Sequence, residues 1–281
     1  MPYPGFTGSV AQALRPYPQI LSLDTAGGGG DHSGSSSYNA FIASINKRMG
    51  GGLTFMSSYV FSKLLTDSES GALAVSAMDM GNRRLEKSIS GFDVTHNFKV
   101  AGVYELPFGK DKKWVTKGVA AAIAGDWSVG GIGYYSSGLP VGLTTTVALP
   151  LFAGANRPTI STYDGWGCSD IGNFDPSTMT FFQPASFYGL QPTTVFGNAT
   201  RYNSKCRQFP NYTENITVTR TFKFTERFNM DFRFEMFNAF NRVRFGTGST
   251  TLQSQTFGRL TSNSDILNNP RQIQFGIKFY W

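Results

Sequence analysis

The sequence predicts an all-β fold, in which antiparallel strands form a transmembrane β-barrel with long extracellular loops. Several segments alternate apolar and polar residues, the spacing that places successive side chains on opposite faces of a strand. Charged residues make up only 15% of the 281 residues, yet the mean hydropathy is −0.19. No run approaches the roughly 18 to 20 apolar residues of a membrane-spanning helix. Few charges without overall hydrophobicity is typical of the half-apolar strands of a barrel. The alternating segments described below amount to about seven or eight strands.

The final segment, 271–281, carries this pattern most clearly. Every second residue from Ile273 to Trp281 is apolar, and the residues between them are mostly polar. The sequence stops on Trp281, whereas the termini of soluble domains usually fray into solvent. The segment resembles the C-terminal signal that outer-membrane barrel proteins present to the barrel-assembly machinery. The residues that carry this resemblance are Gln274, Gly276, Phe279 and Trp281.

The first part of the chain, residues 1–36, is predicted to be a loop or linker because it is rich in proline and contains a glycine run at 27–30. Within it we expect one helical turn at 10–14 and one short strand at 19–23. The N-terminus has neither the basic region nor the apolar region of a secretory signal, so we expect an exported protein to carry its leader further upstream. Residues 37–281 are assigned to the barrel region.

Four strands are predicted in the first half of the barrel region. The first two, 37–47 and 53–63, are joined by a short glycine-containing turn and form a hairpin. The third covers 95–106 and the fourth covers 126–137, with a basic and alanine-rich connection at 107–125. Long and short connections alternate along the chain, as when turns collect at the periplasmic end of a barrel and loops at the outside. The connection at 107–125 fits this alternation least well.

Residues 139–212 form the longest predicted irregular stretch, which surface loops of barrels tolerate better than compact soluble domains do. A fifth strand follows at 214–224 and a sixth at 227–238. The large apolar residues of the sixth and final strands are predicted to face lipid: Phe228, Met230, Phe232, Phe234, Phe275 and Ile277. The charged residues between them, Asp231, Arg233 and Glu235, are predicted to face the lumen and to pair across neighbouring strands.

The sequence offers little for catalysis. His32 and His96 have no spaced partners for a metal site or a triad, and no nucleophile elbow is present. We therefore expect a non-enzyme without cofactor or metal. The formal net charge of +7 is spread along the chain rather than gathered in one stripe, so no nucleic-acid partner is expected.

The two cysteines, Cys168 and Cys206, both lie in the long irregular stretch. An even pair in an exported protein suggests a disulfide, and we predict that these two residues form one. The alternative is a pair of free buried thiols.

Several segments together resemble the C-terminal barrel region of TonB-dependent outer-membrane receptors, specifically the large Oar-like kind with a carboxypeptidase-regulatory-like domain. The resemblance covers nearly the whole chain. The segments that carry it are Tyr38-Asn39-Ala40, Gly52-Leu53-Thr54-Phe55, Gly102 to Gly109, Phe237-Asn238-Ala239-Phe240-Asn241 and Pro270 to Gly276.

The resemblance implies a plugged barrel of the cell outer membrane that takes up a scarce small ligand with energy delivered through TonB. The family pattern also includes a signal, a TonB box, a plug and many more strands, and these are not found in the 281 residues. We therefore expect a fragment that does not transport alone and forms a curved open sheet or a strained small barrel. Two alternatives stay open: a complete eight-stranded barrel in which 19–23 supplies a strand, and a soluble cell-surface β-sandwich that binds a partner.

Overall fold

The computed structural model describes residues 2–20, 34–69, 77–79, 82–110, 112–147, 156–160, 167–169, 171–182, 187–189, 194–261 and 266–281. Seven long strands lie in the segments that alternate apolar and polar residues. They are β1 (Ser36–Gly50), β2 (Leu53–Thr66), β4 (His96–Glu105), β5 (Trp127–Ser136), β10 (Asn211–Lys223), β11 (Asn229–Phe237) and β12 (Gln272–Tyr280).

Five further strands are short and lie in the loops. They are β3 (Ser88–Ile89), β6 (Pro140–Val141), β7 (Thr159–Ile160), β8 (Tyr188–Gly189) and β9 (Asn203–Arg207). Two α-helices, α1 (Val10–Ala13) and α2 (Gly118–Ala124), and two 3₁₀ turns, Arg83–Glu86 and Ile171–Asn173, complete the described elements. None of the helices in the described ranges is both long and apolar enough to cross a membrane.

The seven long strands form one antiparallel ladder in the order β1-β2-β4-β5-β10-β11-β12. All seven predicted strands are present, each within three residues of its predicted bounds. The predicted all-β antiparallel fold is therefore confirmed. One continuous ladder is also unlike a β-sandwich, in which two sheets pack face to face.

The connections separate by length at the two ends of the sheet. The turns at 51–52 and 224–228 lie at one end, together with the 106–126 connection that contains α2. The three long loops, 67–95, 137–210 and 238–271, all lie at the other end. The 106–126 connection lies at the turn end despite its length, because β4 finishes there and β5 starts there. Hydrogen bonds from Trp127 and Arg220 hold α2 beside the strand ends.

In β10, β11 and β12 the register places most large apolar residues on one face of the sheet. β1, β2, β4 and β5 follow this separation less strictly, because Ile42, Met56 and Ile132 fall on the opposite face. Across β10, β11 and β12 the rows Val218–Phe234–Phe275 and Phe222–Met230–Phe279 are continuous. The intervening rows are polar, for example Thr221–Asp231–Lys278. We call these the apolar face and the polar face.

Both edges of the ladder run in the same direction. β1 begins at the loop end and finishes at the turn end, and so does β12. In the described residues β1 pairs only with β2, and β12 only with β11. Antiparallel closure therefore requires an odd number of additional strands between β12 and β1.

The buried core lies outside the sheet. Its members come from the two longer loops and are Val141, Leu143, Ile160, Phe181, Phe182, Tyr188, Ala199, Cys206, Phe209, Leu252 and Phe257. The expectation that 139–212 is simply irregular is therefore wrong. Its described parts contain four short strands and most of this core, and β10 begins at Asn211, inside the predicted loop.

The N-terminal segment is described only in part. A single helical turn, α1, lies at the predicted position and is capped by Ser9, whose side chain accepts a hydrogen bond from the backbone N–H of Gln12. Gln19 and Ile20 are outside any strand. The rest of the predicted strand at 19–23 and His32 lie outside the described residues.

Candidate functional site: the loop head and the polar face

The three long loops fold together into one body above the sheet, which we call the loop head (the described residues of 67–95, 137–210 and 238–271). Loops at one end of a rigid strand scaffold are where barrels carry recognition surfaces. The loop head and the polar face beneath it are therefore the candidate functional site.

Aromatic rings fill the centre of the loop head. Phe181 and Phe182 are completely buried, although they are adjacent in sequence. Phe181 packs edge-on against Phe182 and lies 5.5 Å from the ring of Phe209. Phe182 stacks on Phe257 at 5.0 Å, which joins the second loop to the third. These contacts give the loop head a core of the kind found in soluble domains.

A disulfide between Cys168 and Cys206 ties this core together. Their Cα atoms lie 5.1 Å apart, within the usual range for a bridged pair. Cys206 belongs to β9 and is almost fully buried. The bridge therefore fixes the segment around 168 to the strand that leads into β10.

Ion pairs connect the first loop to the second. Glu86 receives two hydrogen bonds from the Arg157 guanidinium, at 2.9 and 3.2 Å, and both side chains are at most 5% exposed. Asp93 pairs with Arg207 at 2.7 Å. Glu69 lies 3.8 Å from Arg201. In each of these three pairs the first loop supplies the acid and the second supplies the arginine.

These pairs are held by further hydrogen bonds, which offset the cost of burying charge. The backbone N–H of Met78 donates to Glu86 at 2.9 Å, and Arg157 donates to the carbonyl of Leu85. The backbone N–H of Leu64 donates to Asp93 at 2.6 Å. Removing one partner would leave a buried charge without its counterion, so the pairs lock the two loops in one relative position.

A cavity of 270 Å³ lies between these loops. Its lining includes the buried polar residues Asn156, Arg157 and Arg201, together with Tyr202 and Gln208. Because each arginine is already opposed by a glutamate, the cavity is polar without being strongly positive. Burial and the nearby charge of Glu69 raise the pKa of Tyr202, so this phenol is a neutral hydrogen-bonding group at physiological pH.

The junction between sheet and loop head contains two more charged contacts. Asp67 accepts a hydrogen bond from the backbone N–H of Ser35 at 2.7 Å and lies 3.4 Å from Arg83. The Ser35 hydrogen bond, together with Arg83, lowers the pKa of this carboxyl against the opposing effect of burial. Arg242 donates a hydrogen bond to Glu214 at 2.7 Å, and this contact attaches the third loop to the beginning of strand β10.

The predicted lumen residues all lie on the polar face of β11. Asp231 accepts hydrogen bonds from Thr221 at 2.7 Å and from the hydroxyl of Tyr280 at 2.6 Å, on the two neighbouring strands. Glu235 accepts from Gln274 on β12. Arg233 lies 3.6 Å from Glu235 and is the most exposed of the three. Two of the three are thus linked to neighbouring strands by hydrogen bonds.

The predicted lipid-facing residues share the apolar face, with one exception. Met230, Phe232 and Phe234 lie opposite Phe279, Ile277 and Phe275 in the ladder. Phe228 precedes β11 and belongs to the turn, where its ring stacks on that of Phe279 at 5.8 Å. Its placement in the sixth strand was wrong, because the chain pairs only from Asn229 onward.

The residues of the predicted assembly signal lie on the edge strand β12 or just after it. Gln274 and Gly276 fall on the polar face, opposite Glu235 and Arg233, and Phe279 falls on the apolar face. Trp281 follows the last ladder pair and is 93% exposed.

A comparison with protein families places this architecture. The sequence model of the family described as an outer membrane beta barrel domain matches residues 2–274, nearly the whole chain. The chain belongs to the outer membrane beta barrel domain family. Searches of curated proteins and of solved structures found no match.

Membership of the outer membrane beta barrel family confirms the predicted location in the outer membrane. Barrels of this membrane carry short turns on the periplasmic side and longer loops outside. The turn end of the sheet is therefore periplasmic, and the loop head is extracellular. We propose that the apolar face meets lipid and that the polar face lines the interior.

Sequence reasoning missed the ion pairs and the aromatic core of the loop head. These residues follow no period, so a search for alternation passes over them. A signal was nevertheless present. The first loop is the source of the acids, and the second loop is the source of the arginines, in the three cross-loop pairs. The second loop also contains the Phe181-Phe182 pair, which lies between the two cysteines in sequence.

Proposed function

We propose that this outer-membrane barrel chain is the C-terminal barrel portion of a TonB-dependent receptor, of the Oar-like kind, that takes up a scarce small ligand. In this proposal the loop head takes part in capturing the ligand outside the cell. The remainder of the receptor supplies the plug, the other strands and the link to TonB. The chain acts as a receptor and carries out no catalytic step.

The observation that carries the proposal is the pairing of a rigid extracellular loop head with an open ladder. A barrel needs no buried aromatic core, disulfide or cross-loop ion pairs in its loops merely to sit in a membrane. A preorganised loop surface does reduce the cost of binding a ligand. Among the described residues β1 and β12 each pair on one side only. Such edges would leave backbone groups without partners in hydrocarbon, which favours additional strands between them.

The test is uptake by cells that carry the complete gene. Accumulation of ferric siderophores, cobalamin and oligosaccharides should be compared between wild-type cells, cells lacking this gene and cells lacking TonB. We expect one of these compounds to fail to accumulate in both mutants, and the isolated 281 residues to show no conductance in planar bilayers. Unchanged accumulation of every compound in the gene deletion, or conductance by the chain alone, would overturn the proposal.

The competing function is that of a complete eight-stranded barrel, which the direction of the edges allows as well as it allows a larger barrel. A single extra strand would suffice for antiparallel closure. The segment at 19–23 would have to pair with both β1 and β12. Replacing Leu21 and Ile277 each by cysteine tests this: a high-yield cross-link between the two positions favours the small barrel, and its absence favours the larger receptor.

A further inference from the structure

The periplasmic rim of the sheet carries a feature that the uptake function does not use. The connection between β4 and β5, which we call the rim segment (residues 106–126), contains α2 and four lysines: Lys110, Lys112, Lys113 and Lys117. Its acidic residues are Asp111 and Asp126, so the rim segment is net basic.

The end of α2 is attached to the lipid-facing side of the wall. Arg220 interrupts the apolar face of β10, where it lies opposite Trp127 and Phe232. Its guanidinium donates to the carbonyls of Ala122 and Ile123, at the C-terminal end of α2. The indole N–H of Trp127 also donates to the carbonyl of Ile123, at 3.0 Å.

Aromatic rings lie against the buried Arg220 and stabilise its positive charge on the apolar face. The guanidinium lies 4.2 Å from the ring centre of Phe222 and 5.5 Å from that of Trp127. Helix carbonyls accept hydrogen bonds from both terminal nitrogens, and the aromatic faces lie against the cation. Within the described part of the chain no carboxylate pairs with it. Since Arg220, Trp127 and Phe222 all belong to the apolar face, α2 lies on the side of the wall that meets lipid.

The outer surface of α2 is apolar and exposed. Val119 and Ile123 are one helical turn apart and are 76% and 67% exposed. Trp114, beside the lysines, is 51% exposed. Exposed aliphatic residues on a helix, next to tryptophan and lysine, are the pattern of elements that lie in a membrane interface.

A basic cleft opens between the rim segment and the ends of β5 and β10. Its volume is 1120 Å³, and its lining includes Lys110, Lys117 and Lys223. Lys112 also lines the cleft but is held by Glu105 at 2.8 Å, the hydrogen bond that raises the pKa of Lys112. The other lining lysines, Lys110, Lys117 and Lys223, give the cleft its positive charge, which suits a phosphate group.

We propose that the rim segment binds anionic phospholipid of the periplasmic leaflet. The headgroup phosphate lies in the basic cleft, and Val119 and Ile123 rest on the acyl chains. The lipid would hold the periplasmic rim at a fixed depth and orientation in the leaflet. This proposal depends on the outer-membrane location alone and not on which ligand the receptor takes up.

The first test measures the depth of α2 in nanodiscs that contain the full chain. A fluorophore is attached at Val119→Cys and, as the control, at Glu226→Cys in the β10–β11 turn at the same membrane end. We expect a quencher carried on lipid to reduce fluorescence at position 119 and to leave position 226 almost unchanged. Equal, weak quenching at both positions would overturn the proposal.

The second test measures enrichment of headgroup-labelled phosphatidylglycerol around the protein. The triple variant Lys110→Gln, Lys117→Gln, Lys223→Gln, which removes the lysines that line the cleft apart from Lys112, is compared with the control variant Lys63→Gln, Lys87→Gln at the extracellular end. We expect about a fivefold loss of enrichment for each cleft lysine removed, little change in the control, and recovery when the three lysines become arginine. Enrichment in the triple variant equal to that of the wild type would overturn the proposal, and heat-modifiable migration shows that each variant is folded.

Discussion

The loop head and the sheet of this outer-membrane barrel protein use the same residue type in opposite ways. In the loop head Phe181 and Phe182 are buried among other rings. In the sheet Phe275 and Ile277 are 70% and 59% exposed. The loop head therefore carries its own solvent-excluded core, whereas Phe275 and Ile277 lie exposed on the apolar face that we propose to meet lipid.

This difference separates two sources of stability within one chain. The loop head gains from apolar burial, a disulfide and ion pairs, as a small soluble domain does. The sheet gains from backbone ladders and from the transfer of its apolar face into hydrocarbon. Changes in one region should therefore leave the other largely intact, and the following predictions test that separation.

The largest effect is expected from a cavity in the loop head. Phe181→Ala should destabilise the head by about 3–5 kcal/mol, because the ring is fully buried and its neighbours cannot fill the space. Hydrogen exchange of loop amides in nanodiscs measures this, and strand amides should keep their protection. Val195→Ala, at a half-exposed position of the same loop, is the matched control and should change little. If the strand amides of Phe181→Ala also lost protection from hydrogen exchange, the stability of the sheet would depend on the loop head, contrary to the proposal.

Removing the disulfide should have a comparable local effect. Replacing Cys168 and Cys206 by alanine reopens a loop with a sequence separation of 38 residues. On the chain-entropy model this costs about 4 kcal/mol. Pulse proteolysis should show cleavage within 167–210, while membrane insertion stays at the wild-type yield. If the double variant failed to insert, the loop head would be required for barrel formation.

A charge on the apolar face should affect the sheet and not the loop head. Phe234→Arg places a guanidinium in the row that contains Val218 and Phe275, and should cost about 2–4 kcal/mol near the bilayer midplane. Thr217→Arg is the matched control, because Thr217 lies on the polar face opposite Glu235. Asp231→Arg, also on the polar face, should be mild for the same reason. Denaturant unfolding in phospholipid vesicles measures all three, and equal costs for Phe234→Arg and Thr217→Arg would contradict the assigned faces.

The smallest effect is expected at the junction of the two regions. The pKa of Asp67 is lowered in the folded protein, so its contribution is present above the ordinary carboxyl pKa of about 3.9 and is lost as pH falls through the folded value. Wild type should therefore lose under about 1 kcal/mol more than Asp67→Asn below about pH 4. The rate of proteolysis at the 34–36 junction, followed from neutral to acid pH, measures this. Identical acid dependence in the two proteins would exclude a role for Asp67.

The sheet could be predicted from the sequence because its strands face two different solvents. Lipid on one side and water on the other impose a strict alternation, as at Met230 to Glu235, and this pattern is local. The expectation of further strands came from the family resemblance, and the ladder added that both edges run in the same direction. The sequence resemblance to TonB-dependent receptors is more specific than the family match and stays a proposal.

The loop head could not be predicted because its contacts join residues that are distant in sequence. Glu86 meets Arg157, and Phe182 meets Phe257, without any periodic pattern that would reveal the pairing. Arg220 shows the same limit within a strand. The alternation of apolar and polar residues in the fifth strand is interrupted at Arg220. Only the structure shows that the carbonyls of α2 accept hydrogen bonds from this side chain.

The most direct test of the two faces is residue-by-residue labelling along β11. Single cysteines at positions 230 to 236 are coupled to a fluorophore in nanodiscs that contain a lipid-borne quencher. The structure predicts strong quenching at 230, 232, 234 and 236 and weak quenching at 231, 233 and 235. Quenching without alternation, or strongest at 231, 233 and 235, would contradict the assignment of the apolar face to lipid.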